Sequence, residues 1–232
     1  MSEKHVPAVV SIPVPLRLYA AAPPRTSEEK APILLAMHGY GMVPLPMLGL
    51  AKRFTPRPFL IVAIQGPQSA YTAESSVEEP RIGFHFGVSP DAEDNRATHR
   101  AAVSAAIGWA ADRGGDPARV SLAGFSHPCS FNYRLALNPP HGVPFRAIVA
   151  ICGGVPGNWT DADPPGTPFS QVTPVLHIST RQDEWYPLEK SVTYKGRLAP
   201  RFAEVTHLFF DGGHRAPSDS FDAIRDFLAR NG

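Results

Sequence analysis

The sequence predicts an α/β fold, a mainly parallel, doubly wound sheet with helices on both faces. Three observations carry this. Short unbroken apolar runs such as "PILLAM" (Pro32–Met37) and "FLIVAI" (Phe59–Ile64) recur along the chain, and such runs suit strands buried on both faces of a parallel sheet. Segments with apolar residues at helical spacing lie between them, which makes right-handed βαβ units. Finally, several residues able to do chemistry sit directly beyond strand ends, where open parallel sheets collect their sites.

Each element has its own reason. "VVSIPVPLRLY" (Val9–Tyr19) alternates in polarity but carries Pro13 and Pro15, so it is expected as an edge strand. Ala22–Lys30 reads as a loop. Pro32–Met37 and Phe59–Ile64 are the first two buried strands. Gly66–Asp94 shows no clear periodicity and exceeds the usual connection length, which marks it as a functional loop. From Asn95 to Arg113, residues Val103, Ile107 and Ala110 fall at helical spacing, and Gly114-Gly115 ends the helix. "RVSLAG" (Arg119–Gly124), "AIVAIC" (Ala147–Cys152), "VLHIS" (Val175–Ser179) and "VTHLFF" (Val205–Phe210) supply four more strands. His127–Leu137 can form a helix after the first of these, and Phe221, Ile224 and Leu228 share one face of a closing helix. No internal repeat occurs, and the 232 residues are expected to form a single domain over 1–232.

Composition removes several function classes. A net charge of +1, with no basic run interleaved with aromatics, gives no reason to expect nucleic acid or an anionic membrane as partner. No apolar segment approaches the roughly 20 residues that span a bilayer. The N-terminus lacks the apolar core of a signal peptide. Cys129 and Cys152 form no CxxC and suit a reducing compartment, so a cytoplasmic location is expected. No HExxH or similar ligand spacing occurs, and no metal is expected.

Four loops after strands carry the chemistry. In "HGYGM" the glycines Gly39 and Gly41 could open a dinucleotide turn, but Pro44 stands where the third glycine belongs and no acidic residue ends the next strand. The other use of such a turn is to aim backbone N–H groups at a developing oxyanion. In "LAGFSHPCSF" a strand ends in a sharp turn at Ser126, and a helix follows. Taken alone, Ser126 is equally a nucleophile on a strained elbow or a helix cap. The remaining loops decide between these: "TRQDEWYP" offers Asp183 and "DGGHRAP" offers His214, each directly beyond a strand. A serine hydroxyl needs an imidazole to take its proton, and that imidazole needs a carboxylate to fix its tautomer. Ser126, Asp183 and His214 occur in that order. Among the other histidines, His38 is expected to be structural and His177 to lie in the core. The His127 ring lacks an obvious carboxylate, and Cys129 is expected to serve packing.

From about Pro32 to Leu228 the chain resembles the α/β-hydrolase superfamily, and most closely its small esterases of the phospholipase/carboxylesterase type. "LLAMHGYG", "IGWAADRGGDPARVSLAGFS", "DEWYP" and "FDGGH" carry the resemblance. It implies an α/β-hydrolase fold with little or no cap domain. It also implies a serine esterase working through an acyl-enzyme, with Ser126 as nucleophile, Asp183 as acid and His214 as base. The backbone N–H groups of Tyr40 and His127 would form the oxyanion hole. Pro128 departs from the family's glycine, and bears on the geometry of His127. Phe84, Phe86, Trp185 and Tyr186 lie in loops near the expected site and are candidate pocket residues for a small-molecule ester. No cofactor is implied. A thioesterase or acyltransferase would share the triad, and a non-catalytic binding module on the same scaffold is the alternative from another class.

Overall fold

The computed structural model describes residues 12–23, 29–72, 74–88, 92–157, 159 and 166–232. In chain order the strands are β1 (Leu18–Ala21), β2 (Ala31–Met37), β3 (Leu60–Ile64), β4 (Gln68–Tyr71), β5 (Ile82–His85), β6 (Gly115–Phe125), β7 (Ala147–Ile151), β8 (Val175–Thr180) and β9 (Val205–Phe210). The helices are α1 (Pro44–Phe54), α2 (Glu93–Ala111), α3 (Pro128–Leu137), α4 (Leu188–Ser191), α5 (Tyr194–Leu198) and α6 (Phe221–Asn231).

Seven strands form one sheet in the order β1-β3-β2-β6-β7-β8-β9, and β4 pairs with β5 in a separate hairpin. Within the main sheet the pairs from β3 through β9 are parallel, and only the edge strand β1 is antiparallel to its neighbour. Period-two alternation explains why the buried runs have no polar gaps. Ile33, Leu35 and Met37 of β2 enter the core layer shared with α2 and α3, while Leu34 and Ala36 enter the layer shared with α1 and α6. The chain leaves β2 toward β3 on one side and returns to β6 on the other. The carboxyl ends of β2 and β6 therefore flank the point where strand order reverses, and a crevice opens there.

Some sequence expectations need adjustment. The expected edge strand over 9–19 is a strand only from Leu18 to Ala21; residues 9–11 lie outside the described residues. β6 begins at Gly115, four residues early, because Ala31 and Pro32 pair with Gly115 and Asp116 before a register shift. α1 was not foreseen. Its Pro44 and Pro46 look like helix breakers, yet they sit in the first turn, where the missing N–H groups would be unpaired anyway. The segment from Gly66 to Asp94 is not structureless, since it contains the β4–β5 hairpin.

Candidate active site

Ser126 follows β6 with φ of +63°, a left-handed conformation that is strained for a non-glycine residue. The turn projects its hydroxyl into the crevice rather than onto the helix, and α3 has no side-chain cap. Ser126 Oγ lies 2.9 Å from His214 Nε2. His214 Nδ1 lies 2.9 Å and 3.1 Å from the two carboxylate oxygens of Asp183. Asp183 is itself buried, and its Oδ1 accepts hydrogen bonds from the backbone N–H groups of Trp185 and Tyr186, both at 2.9 Å. Hydroxyl, imidazole and carboxylate thus form one hydrogen-bonded line. They arrive from three loops, beyond β6, β8 and β9.

The backbone near the serine leaves one donor over. Ser126 N–H is taken by the Ile151 carbonyl at 2.8 Å, Cys129 N–H donates to the Ser126 carbonyl at 3.2 Å, and Pro128 has no N–H. That leaves His127 N–H, which has no acceptor among the described residues. His127 takes helical φ and ψ of −50° and −47°, although a residue before proline is disfavoured there. Its ring packs edge-on to Tyr40 and Phe131, which fixes this conformation in place. The turn after β2 repeats the pattern. Gly41 N–H donates to the Phe84 carbonyl and Met42 N–H to the Gly39 carbonyl, while Tyr40 N–H has no acceptor among the described residues. Gly41 has φ of +71°, as the third residue of such a turn requires.

A cleft of about 970 Å³ opens over these groups. Tyr40, Met42, Met47, Leu50, Phe125, Trp185 and Tyr186 give it apolar walls around Ser126 and His214. Trp185 is largely exposed at its edge, and the Tyr186 ring lies 5.7 Å from the His214 ring. Burial pushes the Tyr186 phenol up to about 12. Burial, followed by the proximity of His85, pulls the His127 imidazole down to about 4, so this ring is neutral at physiological pH. The expected aromatic pocket is only half present. Phe86 is fully buried, packed between His38 and His99, and does not face the cleft. Phe84 also lies outside the cleft lining; it meets the site through its backbone, paired with Met42.

His38 is buried, with Nε2 accepting from Gly66 N–H at 3.0 Å and Nδ1 at 2.8 Å from the Gly39 carbonyl. His177 is a core residue bonded to the Tyr133 hydroxyl at 2.7 Å. Cys129 and Cys152 are both buried and free. Three further groups escaped the sequence reading. Glu184 accepts the His214 backbone N–H at 3.1 Å, Gln182 accepts the Gly212 N–H at 2.5 Å, and Thr180 donates to the Gly213 carbonyl at 2.9 Å. Together they tie the loop after β8 to the loop that carries His214. Among the described residues, no group of three or more His, Cys, Asp or Glu side chains is placed to hold a metal ion. No described helix is long and apolar enough to cross a membrane.

The chain is similar in structure to a carboxylesterase from Bacillus cereus, with a TM-score of 0.67 at 17% identity over 94% of this chain and 95% of that one. A carboxylesterase from Mesorhizobium loti gives 0.64 at 22% identity over 88% and 89%. Acyl-protein thioesterase 2 from Zea mays gives 0.64 at 17% identity over 93% and 98%. At these identities the likeness shows the fold. No curated protein sequence matches the chain. A family model described as phospholipase/carboxylesterase, however, matches residues 22–231, nearly the whole length. The α/β-hydrolase architecture and that match agree: the chain belongs to the phospholipase/carboxylesterase family and is an esterase-type hydrolase.

Proposed function

We propose that the protein hydrolyses small carboxylic esters through an acyl-enzyme. The observation that carries this reading is the line Ser126 Oγ–His214 Nε2, His214 Nδ1–Asp183, with contacts of 2.9 Å at each step. Ser126 attacks the ester carbonyl while His214 takes its proton, and Asp183 holds the imidazole with Nδ1–H inward and offsets its charge. The oxyanion forms between the N–H groups of Tyr40 and His127, the two donors that the local backbone leaves unused. His214 then protonates the leaving alcohol, and water activated by the same ring releases the acid. The open, apolar cleft suits substrates without extended polar recognition. Two free, buried cysteines suit a reducing compartment such as the cytoplasm.

The same geometry would accept a thioester, and the likeness to a plant acyl-protein thioesterase gives that second reading its support. Turnover of acyl-CoA against matched alkyl and aryl esters separates the two. The first test is labelling with a fluorophosphonate probe, which reacts only with an activated serine. Wild-type protein is expected to label at Ser126. Ser126→Ala and His214→Ala are each expected to lose on the order of 10³-fold or more in kcat while remaining folded. Near wild-type turnover in Ser126→Ala would refute the mechanism.

A further inference from the structure

The turn that presents Tyr40 N–H does not stand alone. The β4–β5 hairpin touches three consecutive residues of it. The His85 ring stacks on the Tyr40 ring, with centroids 4.7 Å apart and planes 24° from parallel. The Phe84 carbonyl accepts Gly41 N–H at 3.0 Å. Phe84 N–H donates to the Met42 carbonyl at 2.9 Å, which makes a short antiparallel bridge. The approach is close enough that a Cβ on Gly83 would overlap the Gly41 carbonyl. At this same end the hairpin is closely packed on the chain that enters it, since a Cβ on Gly66 would stand 2.5 Å from the His85 carbonyl oxygen.

We propose that this hairpin is the positioning element for the oxyanion site, with Gly83 and His85 as positioning residues that set the direction of Tyr40 N–H. The physical reason is local. Within the turn the Gly39 carbonyl, which shares its peptide with Tyr40 N–H, accepts Met42 N–H at 3.2 Å. The hairpin in turn holds Gly41 N–H, the Met42 carbonyl and the Tyr40 ring, so that peptide cannot rotate without disturbing the bonds that fix its neighbours. A donor held in this way needs no reorganisation as charge develops on the substrate oxygen. Gly83 is glycine because any side chain there would push the turn away from the strand.

The inference rests on the reading of Tyr40 N–H as an oxyanion donor, and its test separates the two. Gly83→Ala should drop kcat for a neutral aryl ester by at least about tenfold while KM moves less than about threefold, since the donor acts in the transition state. Inhibition by an alkyl trifluoromethyl ketone, whose hemiketal oxygen occupies the same place, should weaken by the same factor. His85→Ala removes the stack and the hydrogen bond that His85 Nδ1 accepts from Gly87 N–H but leaves the backbone bridge in place. It should act in the same sense but less strongly, and it serves if Gly83→Ala does not fold. Gly108→Ala, where a Cβ meets nothing within 4 Å, is the control and should leave kinetics unchanged. Unaltered kcat in folded Gly83→Ala, or KM and kcat falling together with the inhibitor's affinity unmoved, would overturn the role of the hairpin. If Ser126→Ala keeps its activity, it is the underlying mechanism that fails instead.

Discussion

At the scale of single residues, position 127 separates the work of backbone and side chain. Its N–H has no acceptor among the described residues, while the ring is a neutral, mostly enclosed group packed on Tyr40 and Phe131. His127→Ala should therefore keep activity within about tenfold, because the amide remains. His127→Pro should cost at least roughly 10²-fold in kcat, or about 3 kcal/mol, because the donor is gone. The native φ of −50° already lies in the range proline adopts, so the substitution removes the hydrogen without asking residue 127 for a new φ. Circular dichroism establishes that each variant is folded before its esterase rate is compared. A folded but inactive His127→Ala would mean that the imidazole itself takes part.

At the scale of elements, the strand–turn–helix around Ser126 shows how Pro128 is accommodated two residues after that serine. Pro128 fills the first turn of α3 and is buried, and the close approach falls instead to Gly153 beyond β7, whose Cβ would stand 2.5 Å from the Ser126 carbonyl oxygen. Pro128→Gly should leave an active enzyme and lower stability by about 1 kcal/mol, chiefly through added freedom of the unfolded chain. Urea unfolding followed by circular dichroism measures that loss, and a large fall in kcat without it would show that proline tunes the elbow. The same region shows which parts of the molecule were legible in the sequence. β2, β3, β7 and β8 were, because burial on both faces leaves unbroken apolar runs. Ser126, Asp183 and His214 were, because their order and strand-end positions are features of the chain itself. α1 was hidden by prolines whose effect depends on position within a helix, and the hairpin by polar, glycine-containing strands with no alternation to read. Glu184, Gln182 and Thr180 could not be found because only the folded chain brings their two loops together.

At the scale of the whole molecule, the reversal of strand order places the turn after β2 beside the turn after β6, and the loops from β8 and β9 close over them. That arrangement also encloses several histidines. Burial pulls His99 down to about 3, with nearby His127 adding to the effect and the neighbouring Asn132 amide opposing it. His127 and His207 are each lowered to about 4, first by burial, and His177 lies well below its ordinary value for the same reason. In the unfolded chain these rings return to about 6.5, so as pH falls the unfolded state takes up protons first. The sign follows: their contribution to stability is complete above about pH 6.5 and is lost as pH falls from there toward the folded-state values. At pH 5, protonation of unfolded His99 alone should lower stability by about 2 kcal/mol. The urea stability of the wild type should therefore fall steeply between pH 7.5 and 5. In His99→Leu, which keeps an apolar side chain against Phe86 and Phe131, that fall should shrink by about 2 kcal/mol whatever the variant's stability at pH 7.5. Comparing the two pH values within each protein removes the packing cost of the substitution and leaves the titration. An identical pH dependence in wild type and His99→Leu would mean that His99 is not held neutral by the fold, and that other groups set the protein's acid limit.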